Sequence, residues 1–115
     1  MRNPLVAAGA INAALAVAAG AFAAHALRER LDDKALAVFE TGARYHMYHA
    51  LAMVLAGVLA TRGPGWMFQL GIVLFSGSLY VLALTDIKPL GAITPFGGLA
   101  FLAAWIWLAV TALRD

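Results

Sequence analysis

The sequence predicts an all-α integral membrane protein: an antiparallel four-helix bundle with a charged, partly amphipathic segment between the first and second helices. Hydrophobic side chains make up 63% of the 115 residues and charged ones only 12%, against roughly 45–50% and about 25% in soluble globular domains. Long charge-free runs alternate with short polar or Gly/Pro-containing segments, and there is room for four crossings of about 20 residues each. Short connections favour antiparallel neighbours. We therefore expect residues 1–115 to form one transmembrane domain.

The first predicted span covers residues 4–27 and contains no charged side chain. At about 1.5 Å per residue it would be about 36 Å long as a helix, enough to cross a bilayer with some tilt. Small residues recur four positions apart, as at Gly9/Ala13 and Gly20/Ala24, and this spacing lets a neighbouring backbone approach closely. We expect this helix to lie inside the bundle or at a subunit contact rather than facing lipid.

The charged residues concentrate between positions 27 and 44, where the chain is expected to meet water. Asp32 or Asp33 is a suitable helix N-cap, and apolar residues follow at helical spacing. This pattern predicts a helix that begins here and continues into the second span, residues 45–61. The Arg-Gly-Pro-Gly sequence at 62–65 predicts a tight turn that ends it.

The third predicted span, residues 66–85, opens with Trp66, a residue typical of the headgroup level. Gln69, Ser76 and Tyr80 lie on one side of this helix and further polar residues on another, which predicts a central helix buried on more than one side. Such a helix would contact two neighbours.

Pro89 and Gly91 predict a turn or short extended segment at the membrane edge. Thr94 and Pro95 then predict a helix cap with proline at the first helical position, opening a fourth span over residues 95–113. Gly97-Gly98, in its first turn, would permit close approach of another helix.

The basic residues are distributed over the ends of the predicted spans. The formal net charge is +2, and because no single basic patch forms, lipid headgroups rather than nucleic acid are the expected counter-charge. With four spans, Arg2, Arg62 and Arg114 would share one side and the other five basic residues the opposite side. The positive-inside rule then favours a cytoplasmic first loop and both termini outside.

Most of the reactive side chains lie between Glu40 and His49, on the second helix. At about 100° per residue, one face carries Glu40, Thr41, Arg44, Tyr45, Tyr48 and His49, and the opposite face carries Phe39, Ala43, Met47, Ala50 and Val54. We expect the other helices to fold around the polar face, with Glu40 and Arg44 as an ion pair. The predicted polar network comprises His25, Glu40, Arg44, Tyr45, Tyr48, His49, Ser76 and Tyr80.

Two kinds of catalytic or metal site are weighed against this structural interpretation. His46 and His49 could share a metal ion with His25, but no acidic residue has the spacing that would complete the site, so hydrogen bonding between helices is favoured and no metal or cofactor is predicted. Ser76 and Ser78 lack the Gly-x-Ser-x-Gly elbow of a hydrolase. The absence of cysteine removes disulfides and thiolate chemistry. The chain is not predicted to be an enzyme.

Several motifs occur together in a fixed order. They are Gly20-Ala21-Phe22-Ala23-Ala24-His25, Thr41-Gly42 with Tyr45, Tyr48-His49-Ala50-Leu51, Leu74-Phe75-Ser76-Gly77-Ser78-Leu79-Tyr80 and Ile93-Thr94-Pro95-Phe96-Gly97-Gly98. Over nearly its whole length the chain resembles the bacterial inner-membrane proteins of domain-of-unknown-function family 423. The resemblance implies a four-helix membrane protein in the bacterial inner membrane, and it implies no activity, substrate or catalytic residue.

The predicted function is that of a non-enzymatic membrane protein whose polar network fixes helix packing and which binds lipid, a second copy or another membrane protein. If the network is structural, Arg44→Ala should lower the thermal stability in detergent. The contrasting hypothesis is a small transporter or channel subunit that moves protons or a small solute through the same residues. It is disfavoured because the cluster lies near one membrane face and no carboxylate occurs deep in a span.

Overall fold

The computed structural model describes residues 2–114, and within them the chain is all-helical. The long helices are α1 (Pro4–Leu27), α2 (Asp33–Val58), α3 (Arg62–Thr85) and α4 (Thr94–Leu113). A 3-10 helix, Lys88–Ala92, precedes α4. Wider π-helical turns close α1 (Ala23–Leu27) and interrupt α3 (Ile72–Ser76). The predicted fold class is therefore confirmed as far as its helical nature.

Helix α2 begins at the position predicted from the sequence of the charged segment. The side chain of Asp32 accepts a hydrogen bond from the backbone N–H of Ala35 at 2.8 Å, which satisfies one of the unpaired donors of the first turn. The helix then continues without a break for 26 residues. The predicted continuity between the charged segment and the second span is confirmed.

The turn predicted at residues 62–65 lies earlier in the chain. Helix α2 ends at Val58, and Ala60 adopts a left-handed backbone conformation with φ of 58°. Residues 62–65 instead form the first turn of α3. Pro64 is tolerated there because the first backbone N–H groups of a helix have no partner within the helix.

The helix cap predicted at Thr94 is not formed. Thr94 is itself the first residue of α4, and no side chain caps the helix start. The Thr94 hydroxyl lies 2.6 Å from the hydroxyl of Ser78. This threonine therefore joins α3 to α4 instead of satisfying its own helix.

Within residues 2–114, three helical stretches are long and apolar enough to cross a membrane: Pro4–Leu27, Arg62–Thr85 and Lys88–Leu113. Helix α2, which contains the second predicted span, is not among them. Its first half carries charged residues, and its second half contains two histidines and a tyrosine. Composition alone therefore supports three of the four predicted crossings.

The helices pack in chain order: α1 mainly on α2, α2 on α3, and α3 on α4. The Cα positions extend over 51 × 29 × 17 Å, which is a flattened shape. Helix α3 is central, as predicted. Helix α1 was expected inside the bundle or at a subunit contact. Within this chain it lies at an edge, and only 22% of its most apolar stretch is buried.

Two glycines permit close contacts between helices. A Cβ atom added at Gly9 would lie 2.8 Å from the backbone nitrogen of Val54, and one added at Gly97 would overlap the backbone of Phe75. The close approaches predicted at these positions are therefore confirmed for α1 against α2 and for α4 against α3. A Cβ atom at Gly20 would meet nothing within 4 Å, so the close approach predicted there is not formed.

Candidate functional site

The centre of the molecule contains a hydrogen-bonded network that joins α1, α2 and α3. His46 is 5% exposed; its Nδ1 lies 2.9 Å from the hydroxyl oxygen of Tyr80 and its Nε2 lies 2.9 Å from Oδ1 of Asn12. The amide nitrogen of Asn12 donates to Oε1 of Gln69 at 2.8 Å and to the carbonyl of Ala8 at 2.9 Å. We call the side chains of Asn12, His46, Gln69 and Tyr80 the central network.

The hydrogen bonds of the central network suit a neutral His46. Oδ1 of Asn12 is a carbonyl oxygen and only accepts, while the amide nitrogen of the same side chain donates to two oxygens. His46 must therefore donate from Nε2. Burial in apolar surroundings favours the neutral imidazole, and in that form Nδ1 accepts from the Tyr80 hydroxyl.

Gly42 and Ser76 make a second polar contact between α2 and α3. The Ser76 hydroxyl, 1% exposed, donates to the Gly42 carbonyl at 2.8 Å. Ser76 is the last residue of the π-helical turn in α3, and such turns frequently occur at functional sites. A Cβ atom at Gly42 would lie 3.1 Å from the Tyr80 ring, so the absence of a side chain lets α3 approach α2 beside the central network.

His49 lies one turn further along α2 in an aromatic environment. Its ring stacks on Phe101 with centroids 3.5 Å apart and planes 5° apart. Nδ1 donates to the Tyr45 carbonyl at 2.7 Å, and Nε2 accepts from the indole N–H of Trp105 at 3.1 Å. An apolar groove of about 460 Å³ runs past Tyr45, His49 and Trp105 on the outer surface. His49 thus fastens α4 to α2 with both ring nitrogens occupied.

The other helices do not pack against the polar face of α2. Glu40 and Arg44 are exposed, and within residues 2–114 the only salt bridge joins Lys88 to Asp86, so the expected Glu40–Arg44 ion pair is not formed. Tyr48 is 52% exposed and Tyr45 37%. The buried face is instead the one predicted to lie opposite, because its small and apolar side chains permit closer packing than arginine or tyrosine.

The eight residues predicted as one network therefore separate in the structure. His49, Ser76 and Tyr80 make contacts between helices, and Tyr45 contributes its carbonyl and ring. His25 is exposed on the π-helical turn of α1 and makes no side-chain hydrogen bond in the described part of the chain.

Sequence reasoning missed Asn12 and Trp105 as partners. It left His46 out of the predicted network, although it favoured hydrogen bonding between helices for this histidine, as the structure has it. One signal was available for Asn12, which is an isolated amide in an otherwise apolar run. A buried amide needs a hydrogen-bond partner, and the polar groups nearest the middle of the other helices are the candidates for that role. No comparable signal identifies Trp105, because it lies among other aromatic and apolar residues.

The chemistry available to this arrangement is limited. Among residues 2–114, no group of three or more His, Asp or Glu side chains is arranged to hold a metal ion. Ser76 and Ser78 donate to backbone carbonyls, and neither bonds to a histidine in that range. Every buried side-chain nitrogen and oxygen of the described residues has a hydrogen-bond partner. The geometry is that of a satisfied network between helices.

The family model "Protein of unknown function (DUF423)" matches residues 19–98. The UPF0382 membrane protein YwdK of Bacillus subtilis is 51% identical over 114 residues, covering 92% of this chain and 93% of that protein. The UPF0382 membrane protein SH2409 of Staphylococcus haemolyticus is 45% identical over 112 residues, covering 92% of each. No solved structure matches the chain. The family model matches more than half of the chain, and these relatives of similar length are named membrane proteins. The chain therefore belongs to the DUF423 family of membrane proteins of unknown function.

Proposed function

We propose that this protein is a non-enzymatic component of the bacterial inner membrane, an antiparallel bundle of four crossing helices held in one arrangement by the central network. The observation that carries the proposal is the complete satisfaction of the buried polar side chains among residues 2–114. A site that binds or transforms a ligand keeps polar groups directed at that ligand. Here the polar groups are directed at one another.

The contacts of α2 with α1 support a fourth crossing. The Asn3 side chain donates to the Gly57 carbonyl at 3.2 Å near one end, and the rings of Phe22 and Phe39 lie 6.4 Å apart near the other. These two contacts support an antiparallel arrangement of α1 and α2 over most of the length of α1. If α1 crosses the bilayer, α2 crosses with it.

The polar residues of α2 are compatible with this crossing. His46 and His49 are buried, at 5% exposure each, so lipid does not contact them. Arg44 is exposed and lies about 16 Å from the start of α2, at about 1.5 Å per residue. Because side chains tilt toward the N-terminus of their helix, its guanidinium can extend toward the nearer headgroups.

The exposed apolar side chains support contact with lipid. Ile11, Val17, Leu99 and Ile106 are each at least 60% exposed, and such a surface is suited to hydrocarbon rather than water. On these faces we propose contact with the bilayer, with a second copy or with another membrane protein. With four crossings, the distribution of lysine and arginine favours the first loop in the cytoplasm and both termini outside.

A second candidate function is proton movement through the membrane. Tyr80, His46, Asn12 and Gln69 form a continuous hydrogen-bonded line, and ionisable groups within a membrane are candidates for proton relays. Against this, the line runs between helices and ends on the Gln69 amide and the Ala8 carbonyl. We therefore rank it below the structural role.

Proton flux into vesicles distinguishes the two functions. Purified protein would be reconstituted into liposomes that contain a pH-sensitive dye, and a proton gradient would be applied with potassium and valinomycin present. We expect flux equal to that of protein-free vesicles. Flux above that level that is retained in Tyr48→Phe and lost in His46→Leu would overturn the structural proposal and favour the relay.

A further inference from the structure

A cavity of about 590 Å³ lies between the α1–α2 connection and the end of α3. Two segments remote in sequence build it: residues 30–38 on one side and residues 82–88 on the other. It is separate from the central network, and neither the family nor the helix packing accounts for it.

The cavity has an apolar floor and a basic rim. Leu31, Val38, Leu82 and Ala83 line the floor, and Ala83, 6% exposed, belongs to the buried cluster around Phe39. The rim carries Arg30, Lys34 and Lys88, with Asp32 and Asp86 as the acidic residues. An apolar surface and a cationic edge thus occur in one cavity.

The two acidic residues have partners other than Arg30 and Lys34. Asp32 accepts the backbone N–H of Ala35 as the cap of α2, and Asp86 lies 3.5 Å from the ammonium of Lys88. Within residues 2–114 neither Arg30 nor Lys34 takes part in a salt bridge. The rim therefore presents two exposed cations without acidic partners.

The cavity also lies where the apolar runs of α1 and α3 end. The apolar run of α1 ends at Leu27, immediately before Arg28, and that of α3 ends at Thr85, before Asp86. Leu82 and Ala83 of the floor belong to the last apolar turn of α3, and the rim residues lie within a few positions of these apolar ends or at the start of α2. Basic pockets between transmembrane helices bind anionic lipid headgroups.

We propose that this cavity binds an anionic phospholipid, with its phosphate beside Arg30 and Lys34 and the first part of an acyl chain over Val38 and Leu82. A free phosphate ion would use the rim but leave the apolar floor uncovered, so the floor favours a lipid. The proposal depends on the membrane location of the protein and not on its structural function, and therefore the two can fail separately.

The test compares lipids that differ only in the headgroup. The full chain would be purified in detergent and mixed with equal amounts of phosphatidylglycerol and phosphatidylcholine with identical acyl chains, and the retained lipid would be counted by native mass spectrometry. We expect preferential retention of phosphatidylglycerol. In Arg30→Gln/Lys34→Gln that preference should fall roughly tenfold or more, since each basic residue near a lipid surface contributes about 1 kcal/mol.

A matched control removes the same charge from the opposite end of the helices. Arg62→Gln/Arg114→Gln has the same net charge as the test variant but leaves the cavity rim intact, and it should retain the preference. Equal loss in both variants would overturn the site in favour of a general charge effect. Equal retention of the two lipids by the unmodified chain would overturn it as well.

Two further measurements separate lipid from free phosphate and guard against misfolding. Val38→Trp fills the floor and leaves all charges in place, so it should reduce retention of phosphatidylglycerol while the melting temperature shows that the variant remains folded. Unchanged retention in this folded variant would contradict the acyl-chain contact. Displacement of the lipid by millimolar inorganic phosphate would overturn the lipid assignment and identify a phosphate site.

Discussion

The hydrogen bond between Asn12 and His46 offers the most direct test of the central network. Both side chains are buried, at 7% and 5% exposure, and Oδ1 lies 2.9 Å from Nε2. His46→Leu leaves Oδ1 of Asn12 without a donor and the Tyr80 hydroxyl without an acceptor. Asn12→Leu leaves the His46 N–H without an acceptor. Each change should lower the free energy of unfolding by about 1–3 kcal/mol, because a buried polar group is left unpaired.

The double variant gives the decisive quantity. When both residues become apolar, neither leaves the other with an unpaired hydrogen-bonding group. The loss in free energy of unfolding of the double variant should therefore be smaller than the sum of the two single losses. Side-chain hydrogen bonds inside membrane proteins give coupling energies of about 0.6 kcal/mol on average and about 1.7 kcal/mol at most. We expect the coupling energy between Asn12 and His46 to lie between about 0.6 and about 1.7 kcal/mol.

The assay is unfolding by SDS in mixed micelles, followed by circular dichroism for the unmodified chain, the two single variants and the double variant. Tyr48→Phe is the control: its side chain is 52% exposed and makes no hydrogen bond within residues 2–114, so it should unfold like the unmodified chain. Losses that add to within about 0.3–0.5 kcal/mol would refute the assigned hydrogen bond.

Gly97→Ala, Trp105→Phe and Arg44→Ala each test a separate feature by thermal unfolding in detergent, and Gly98→Ala is the control for the first. Gly97→Ala should lower the free energy of unfolding by about 1–3 kcal/mol, because the added methyl group overpacks against the α3 backbone. In Gly98→Ala the nearest atom would be 4.0 Å from the added methyl group, so the free energy of unfolding should change by less than about 0.5 kcal/mol. Equal effects of the two substitutions would contradict the α3–α4 contact. Trp105→Phe should lower it by about 0.5–1.5 kcal/mol, because His49 loses a donor, and an unchanged melting temperature would argue against that hydrogen bond. Arg44→Ala should change it by less than about 0.5 kcal/mol, contrary to the expectation from sequence, and a larger loss would show that the exposed guanidinium contributes to packing.

The parts of the fold that sequence predicted well depend on local chemistry. Asp32 or Asp33 was identified as the cap of α2 because a carboxylate before an apolar helical pattern satisfies a nearby backbone N–H, and Asp32 is the residue that does so. The pair Gly97-Gly98 was identified as a contact point because the lack of a side chain matters wherever another helix approaches, and Gly97 makes that contact. The turn at Ala60 could not be found in this way, since a left-handed alanine carries no sequence signal comparable to that of Gly or Pro.

The candidate site was predicted less well because its partners are distant along the chain. His46 bonds to Asn12 and Tyr80, each 34 positions away. A helical wheel orders the side chains of α2 around its axis but does not say which side the neighbouring helices cover. In hydrocarbon the more polar face need not be the buried one, because close packing of small side chains also drives helix association.

By itself, the sequence determined that the chain is helical, largely apolar and interrupted at a few charged or Gly/Pro-containing positions, since hydropathy, caps and helix breakers act within a few residues. The tertiary structure alone decided that α1 lies at an edge, that Glu40 and Arg44 face outward and that His46 lies at the centre. The physical reason is that burial is a property of pairs of helices: a side chain becomes part of the core only where a distant helix fits against it closely enough to satisfy its hydrogen bonds and exclude lipid.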